Sequence, residues 1–366
     1  MRVRLGDYIK EYSVKNKNNE DIPVYSVSNS LGFCKDYFGK EVASKNKTTY
    51  KIVPRGCFAY NPSRINVGSV DWQNEEERVI VSPLYNVFSI SPLLDQQYLL
   101  YYLKSNVTLA RIKAVASGSV RDNLKLSMLY EFPIDLISLD QQYEVVSILN
   151  AIQKIIDLYQ KELSGLDELV RARFVEMFGD PNIEFKYNSI KFNDLVVRMT
   201  KGPFGSDMKK DLFVPKGEDT YKVYIQINAI QKNQSLGEYY ISKEYFDRKV
   251  SRFELFPNDY IITCDGTLGK YLKLDKNMEK GVISPSLLRL TLQSDKINDK
   301  YFENIWDFYM LGLMKKEARN ACLVHLPSAK KIGEISIPLP PLELQNQFAS
   351  FVEEIDKSRL LSNHSL

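Results

Sequence analysis

Between Asp140 and Phe178, apolar side chains recur at Val145, Leu149, Ile152, Ile156, Tyr159, Leu163, Leu166 and Val170, spaced 4, 3, 4, 3, 4, 3 and 4. That rhythm is the heptad row of a coiled coil, and it predicts one helix through the whole stretch. Both ends carry stop signals. Ser138 stands three residues before Gln141, the spacing of a capping box, while Gly179 and Pro181 follow the last apolar residue. Gly165 lowers local helix propensity without breaking the pattern. Some 38 residues at ~1.5 Å each make a rod of roughly 55 Å, too long to cover its own apolar row. The partner expected for it lies near the C-terminus, where Leu344, Phe348, Val352 and Ile355 recur at 4, 4 and 3 after Pro338-Leu-Pro-Pro-Leu. Pro341 there suits a first helical turn, whose amide has no partner to lose.

The chain also repeats itself. Leu136-Ile-Ser-Leu-Asp-Gln-Gln-Tyr pairs with Leu339-Pro-Pro-Leu-Glu-Leu-Gln-Asn at an offset of 203, and the same offset carries Val145, Leu149 and Ile152 onto Phe348, Val352 and Ile355. Upstream, Ile80-Val-Ser-Pro-Leu resembles Ile283-Ser-Pro-Ser-Leu, and Leu5-Gly-Asp-Tyr-Ile resembles Phe192-Asn-Asp-Leu-Val. The expected order is therefore block, helix, block, helix: residues 1–138, 139–180, 181–340 and 341–366. The fold class expected is α+β, with two α/β domains in tandem joined by long antiparallel coiled-coil helices in pseudo-twofold symmetry.

Composition closes off much enzymology. Of 366 residues only two are histidine (His325 and His364), and the four cysteines (Cys34, Cys57, Cys264, Cys322) form no C-x-x-C pair. A zinc centre or a His-based nucleophile is not expected, nor any other metal site. There is no phosphate-cradling G-x-x-x-x-G-K-[ST]; Gly266-Thr-Leu-Gly-Lys270 is too short and reads equally as a glycine-dependent hairpin loop. Asp180, Glu184 and Lys186 mimic part of a nuclease metal site but straddle a helix stop, and read as surface charges. With no run of 18 apolar residues and no apolar leader, the expected setting is the cytosol, without a membrane. The net charge of +3 hides a division: residues 1–140 carry 18 basic against 15 acidic side chains and 141–180 carry 4 against 7. Basic blocks followed by an acidic helix suit a polyanion partner for the blocks, although a solvated surface shows similar excesses.

At these residues the chain resembles the specificity (S) subunit of type I restriction–modification systems. The resemblance rests on Gly56-Cys-Phe-Ala-Tyr-Asn-Pro-Ser-Arg-Ile-Asn-Val-Gly-Ser-Val, Ser117-Gly-Ser-Val-Arg-Asp-Asn-Leu, Phe174-Val-Glu-Met-Phe-Gly-Asp-Pro, Gly202-Pro-Phe-Gly-Ser-Asp, Asn258-Asp-Tyr-Ile-Ile-Thr-Cys-Asp-Gly-Thr-Leu-Gly-Lys and Ile337-Pro-Leu-Pro-Pro-Leu-Glu-Leu-Gln. It implies two target-recognition domains, each followed by a conserved helical region, in a non-catalytic reader of bipartite double-stranded DNA. It further implies docking of two methyltransferase subunits and of restriction subunits, with S-adenosylmethionine, ATP and Mg in those partners and no cofactor in this chain. One departure is visible: the second helical region is about half as long as the first. An enzyme with diverged nuclease or methyltransferase motifs, a coiled-coil scaffold without DNA, and a silent recombination-donor copy are the alternatives. No adenine-methyltransferase Asn/Asp-Pro-Pro-Tyr/Phe string occurs; Asn61-Pro-Ser-Arg lacks the stacking aromatic residue.

Phosphates attract Lys, Arg, Ser, Thr and free amides, and base edges favour forked Arg, Asn and Gln contacts. Polar loops rich in these types supply the candidates: Lys45, Lys47, Arg64, Asn66, Ser69, Arg121 and Asn123 in the first block, and Lys201, Ser206, Lys209, Lys210, Thr267, Lys270, Arg319 and Asn320 in the second. Each also reads as an ordinary solvated residue, and Arg64 further as a loop brace paired with a carboxylate.

Overall fold

A computed structural model of the chain describes residues 1–35, 46–116, 123–232, 237–320 and 325–364, with backbone alone at 318–320 and 361–364. Lys45, Arg121 and Cys322 lie outside the described residues. The chain forms two compact units, Met1–Leu158 and Tyr159–Leu366. The division falls inside one unbroken helix. Among the described residues no helix is long and apolar enough to cross a membrane.

In the first unit, β1 (Arg2–Arg4), β2 (Ile9–Glu11), β3 (Ser26–Ser28), β4 (Gly32–Cys34), β5 (Lys51–Pro54), β6 (Phe58–Tyr60), β7 (Val70–Trp72), β8 (Arg78–Val81) and β9 (Asn86–Ile90) precede α1 (Gln96–Lys104), α2 (Asn106–Ala116), α3 (Leu126–Tyr130), β10 (Pro133–Asp135) and the first part of α4 (Leu139–Phe178). The central sheet is antiparallel in the order β2-β9-β6-β7. Phe58 faces Phe88 across it, with ring centroids 5.1 Å apart. Leu5, Leu99, Leu103, Leu129 and Ile134 complete the core beneath. Burial of these side chains, at ~25 cal/mol per Å² of apolar surface, is what holds strands of only three to five residues together.

The second unit uses the same plan. After α4 come β11 (Ser189–Lys191), β12 (Val196–Lys201), β13 (Thr220–Tyr224), α5 (Gln226–Ala229), β14 (Tyr239–Ser242), α6 (Lys243–Tyr245), β15 (Tyr260–Thr263), β16 (Tyr271–Lys273), β17 (Gly281–Ile283), β18 (Leu287–Leu292), α7 (Asp299–Ile305), α8 (Leu311–Asn320), α9 (Ala329–Gly333), β19 (Ser336–Pro338) and α10 (Leu342–His364). Its central sheet, β12-β18-β15-β16, matches β2-β9-β6-β7 strand for strand. The outer pair β11-β19 likewise matches β1-β10, both antiparallel. The only parallel strand pair described is β13-β17. The α+β class and the tandem duplication expected from sequence are both present.

The duplication extends to single hydrogen bonds. Gln142 is fully buried; its amide donates to Leu93 O and Ile137 O, both at 2.9 Å, while its Oε1 accepts from Asp95 N at 2.8 Å. Gln345, also fully buried, donates to Lys296 O (3.2 Å) and Pro340 O (2.8 Å) and accepts from Asn298 N (2.8 Å). Every partner is displaced by 203, the offset read in the sequence. Asp95 and Asn298 in turn cap α1 and α7 by accepting from Tyr98 N and Tyr301 N. The two tyrosine hydroxyls then donate to Asp135 O and Pro338 O, again 203 apart. Each unit is thus clasped where its sheet, its first core helix and the following long helix meet.

The ends of α4 match their sequence signals. Ser138 and Gln141 exchange the capping-box contacts, at 3.2 Å and 3.4 Å, and Gly179 adopts φ +89° past the last turn. The heptad row needs two corrections. Ile152 is 48% exposed, whereas Val145, Leu149, Ile156, Tyr159, Leu163 and Leu166 are half-buried and Val170 is buried. Spacing chooses a face; what packs against that face decides burial. From Val170 the buried row proceeds by fours, to Phe174 and Phe178, and leaves the heptad register. These residues join Phe348 and Val352 of α10 in the second unit's core, with Ile355 packed against it. Phe178 stacks edge-on against Phe348, and Asp167 pairs with Arg359, so α10 runs antiparallel to the last turns of α4.

Candidate nucleic-acid interface

In the second unit three segments enclose a cleft of about 460 Å³, lined by Ile225, Gln226, Ile227, Gln231, Gly266, Thr267, Ser284 and Ser286. None of these side chains is charged. The β15–β16 connection forms one wall. Gly266 and Gly269 take φ +67° and +77°, so its glycines serve a hairpin loop. The loop is braced from inside: the Thr263 hydroxyl donates to Thr267 O and accepts from Lys270 N, and the Trp306 indole donates to Gly269 O at 3.0 Å. Beside it Asp265 Oδ1 meets His325 Nδ1 at 2.5 Å.

The second wall is Ser284–Ser286, tied down by Cys264 N donating to Ser286 O at 2.8 Å. Gly202 lies so close that a Cβ there would meet Ser284 O at 2.0 Å, which brings the exposed end of β12, Lys201, to this wall. α5 and the residues after it form the third wall. Lys201 and Lys270 are exposed and have no ion-pair partner among the described residues. A cleft that sets amides and hydroxyls beside the apolar Ile225 and Ile227, with exposed lysines on two of the segments that form it, suits the division of work in nucleic-acid readers, charge to position and amides and hydroxyls to discriminate.

Of the sequence candidates, Lys201, Thr267 and Lys270 gather here. Ser206, Lys209 and Lys210 are exposed on a neighbouring loop, held through Asp207 by Tyr245 and Lys249, and do not line the cleft. Arg319 and Asn320 end α8, described as backbone only. In the first unit Arg64 is exposed in the β6–β7 connection, the counterpart of the loop holding Thr267. It has no carboxylate partner among the described residues, against the loop-brace reading; Asn61 Oδ1 orders this turn instead, accepting from Ser63 N and Oγ. Asn66 and Asn123 are half-buried.

Ser69 is a correction. It is 4% exposed, because Gly68 at φ +89° turns the chain inward to start β7, and so it presents nothing to a partner. Lys47 is half-buried and paired with Asp21 at 3.6 Å, engaged by its own unit. Asp180 closes a turn by accepting from Asn182 N at 2.9 Å, as a surface charge would. The Cys264 thiol is pushed up to about 12 by burial and Cys57 is raised for the same reason, so neither supplies a thiolate nucleophile.

Gln226, Gln231, Ser284 and Ser286 escaped the sequence reading. A usable signal existed: Gln226, Asn228, Gln231, Asn233 and Gln234 crowd forked amides into one stretch, the type sought for base edges.

Comparison with known proteins agrees with this geometry. The family described as "Type I restriction modification DNA specificity domain" matches residues 4–168 and 205–365. Over 144 residues the chain is 31% identical to the type I restriction enzyme MjaVIII specificity subunit of Methanocaldococcus jannaschii, a stretch covering 35% of this chain and 32% of that protein. The chain thus spans about a third of the length of the curated relative it matches. Two solved structures share the fold. One, from work on complex assembly and conformational transition of the type I R-M system, has a TM-score of 0.56 at 13% identity, covering 100% of this chain and 93% of its own. The other, a type I restriction–modification S subunit from M. genitalium, has a TM-score of 0.50 at 14% identity, covering 100% and 91%. With the family matched along both halves of a duplicated frame, the chain belongs to the type I restriction–modification DNA specificity family.

Proposed function

We propose that this chain is the DNA-reading subunit of a type I restriction–modification assembly, each unit recognising one half of an asymmetric bipartite target. The carrying observation is one frame used twice with unlike loops at corresponding places: identical clasps at Gln142 and Gln345, but Arg64 in one connection and Thr267 with Lys270 in the other. A duplicated scaffold with divergent loops suits two different half-sites. The helices α4 and α10 serve as the dock for two methyltransferase subunits, and restriction subunits join that assembly. Chemistry belongs to those partners: S-adenosylmethionine for methyl transfer to an extruded adenine, ATP and Mg for translocation and cleavage. This chain contributes selection and no cofactor.

Exchange of residues 1–135 for the block of a relative tests the reading, with methylome sequencing of a host that carries the complex. One half-site changes and the other persists; a change in both halves refutes the modular scheme. Lys270→Ala weakens binding to all duplexes and lowers the slope of log affinity against log salt by about 1. Methyl transfer or cleavage by the purified chain alone would refute the division of labour.

A further inference from the structure

We propose that Gln226 and Gln231 are specificity-determining residues that read an adenine in the half-site recognised by the second unit; this rests on the DNA-recognition reading above. Their backbones are fixed while their side chains are free. Ile230 N and Gln231 N both donate to Gln226 O at 3.1 Å, and Ala229 N donates to Ile225 O at 2.9 Å, so the two residues are locked into one compact turn. The adjacent Asn228 amide donates to Gly237 O and anchors the turn to the segment entering β14. Neither glutamine amide bonds to a protein group among the described residues, and both line the cleft.

A carboxamide carries one donor and one acceptor side by side, which matches the N7 acceptor and N6 amino donor on the major-groove edge of adenine. The other two walls add the exposed Thr267 hydroxyl and the half-buried Ser286 hydroxyl, which lies 3.3 Å from that of the buried Ser284. Among the described residues no carboxylate lines the cleft to accept from cytosine, and no guanidinium lines it to fork onto guanine. Lys201 and Lys270 are exposed and stand outside the lining, and their charge suits phosphates. The first unit has the β3–β4 hairpin where the second has α5, so this mode of reading is confined to one half-site.

Selection from a randomised duplex pool by the full-length chain tests the assignment. The native chain is expected to return a bipartite motif with adenine at a fixed position of one half. Gln226→Glu or Gln231→Glu exchanges a donor for an acceptor, so that position moves from adenine to cytosine, with about a tenfold to hundredfold loss of preference for adenine. The other half-site stays as it was. This new preference cannot arise from misfolding. Gln226→Ala and Gln231→Ala, which keep the cleft uncharged, flatten preference at the same position. An identical motif from the native chain and all four variants overturns the assignment while leaving the DNA-recognition reading intact. So does a native motif in which the position altered by these variants is not adenine. A native chain that selects no motif overturns the recognition reading itself.

Discussion

The two units differ least where they are least exposed. Gln142 and Gln345 make the same three hydrogen bonds, and Tyr98 and Tyr301 reach carbonyls at matching positions. Around the rim the likeness ends. After Val24, which bridges Ile80 in parallel, the first unit builds the β3–β4 hairpin, whose Phe33 amide donates to Asp71 Oδ2 at 3.1 Å. The second unit places α5 there, and its strands β13, β14 and β17 form a separate sheet. Buried polar groups tolerate little change, because every substitution leaves an unpaired partner; rim loops face water and are free to diverge. A shared interior with independent rims lets one scaffold carry two unlike surfaces.

This comparison can be broken most readily at its centre. Gln142→Ala and Gln345→Ala each strand an amide and two carbonyls, and each costs about 3–4 kcal/mol in denaturant unfolding. Near-equal losses support an energetic as well as a geometric duplication; a neutral result in either unit would reduce the likeness to geometry. Gly32→Ala sharpens the rim side. At φ +63°, with Asp71 Oδ2 only 1.9 Å from an added Cβ, it destabilises the first unit by about 2 kcal/mol, seen as loss of hydrogen-exchange protection in β3 and β4. The tyrosines give a graded test. Tyr301 is fully buried and its hydroxyl is held protonated by that burial, so Tyr301→Phe costs about 1–2 kcal/mol, against ~0.5 kcal/mol for the half-buried Tyr98→Phe in thermal melts. Smallest is Arg359→Ala. Its partner Asp167 is 73% exposed, and a loss of about 0.5 kcal/mol, fading at high salt, is expected from urea titrations in low and high salt.

What was legible in the sequence follows the same division. The long helix, its capping box, its glycine stop and the 203-residue repeat could all be read, because each rests on local chemistry or on buried residues that keep their type. The departure at Val170, Phe174 and Phe178 could not, since it is set by aromatic rings from α7 and α10 arriving across the core. Ser69 looked like its polar neighbours, and only the turn at Gly68 sends it inward. Lys47 carried the right charge, but its half-buried stem and its pairing with the exposed Asp21 were not visible in the sequence. The cleft at Gln226 depends on three segments meeting from positions far apart in the chain, which no single stretch announces.

The glutamine clasps have an evolutionary corollary. Each grips the chain just before a long helix begins, using mainchain atoms for every contact, so it is indifferent to what lies farther out. Genetic exchange with breakpoints at these clasps would replace the outer loops of one unit and leave the joint itself intact, with no need to rebuild it.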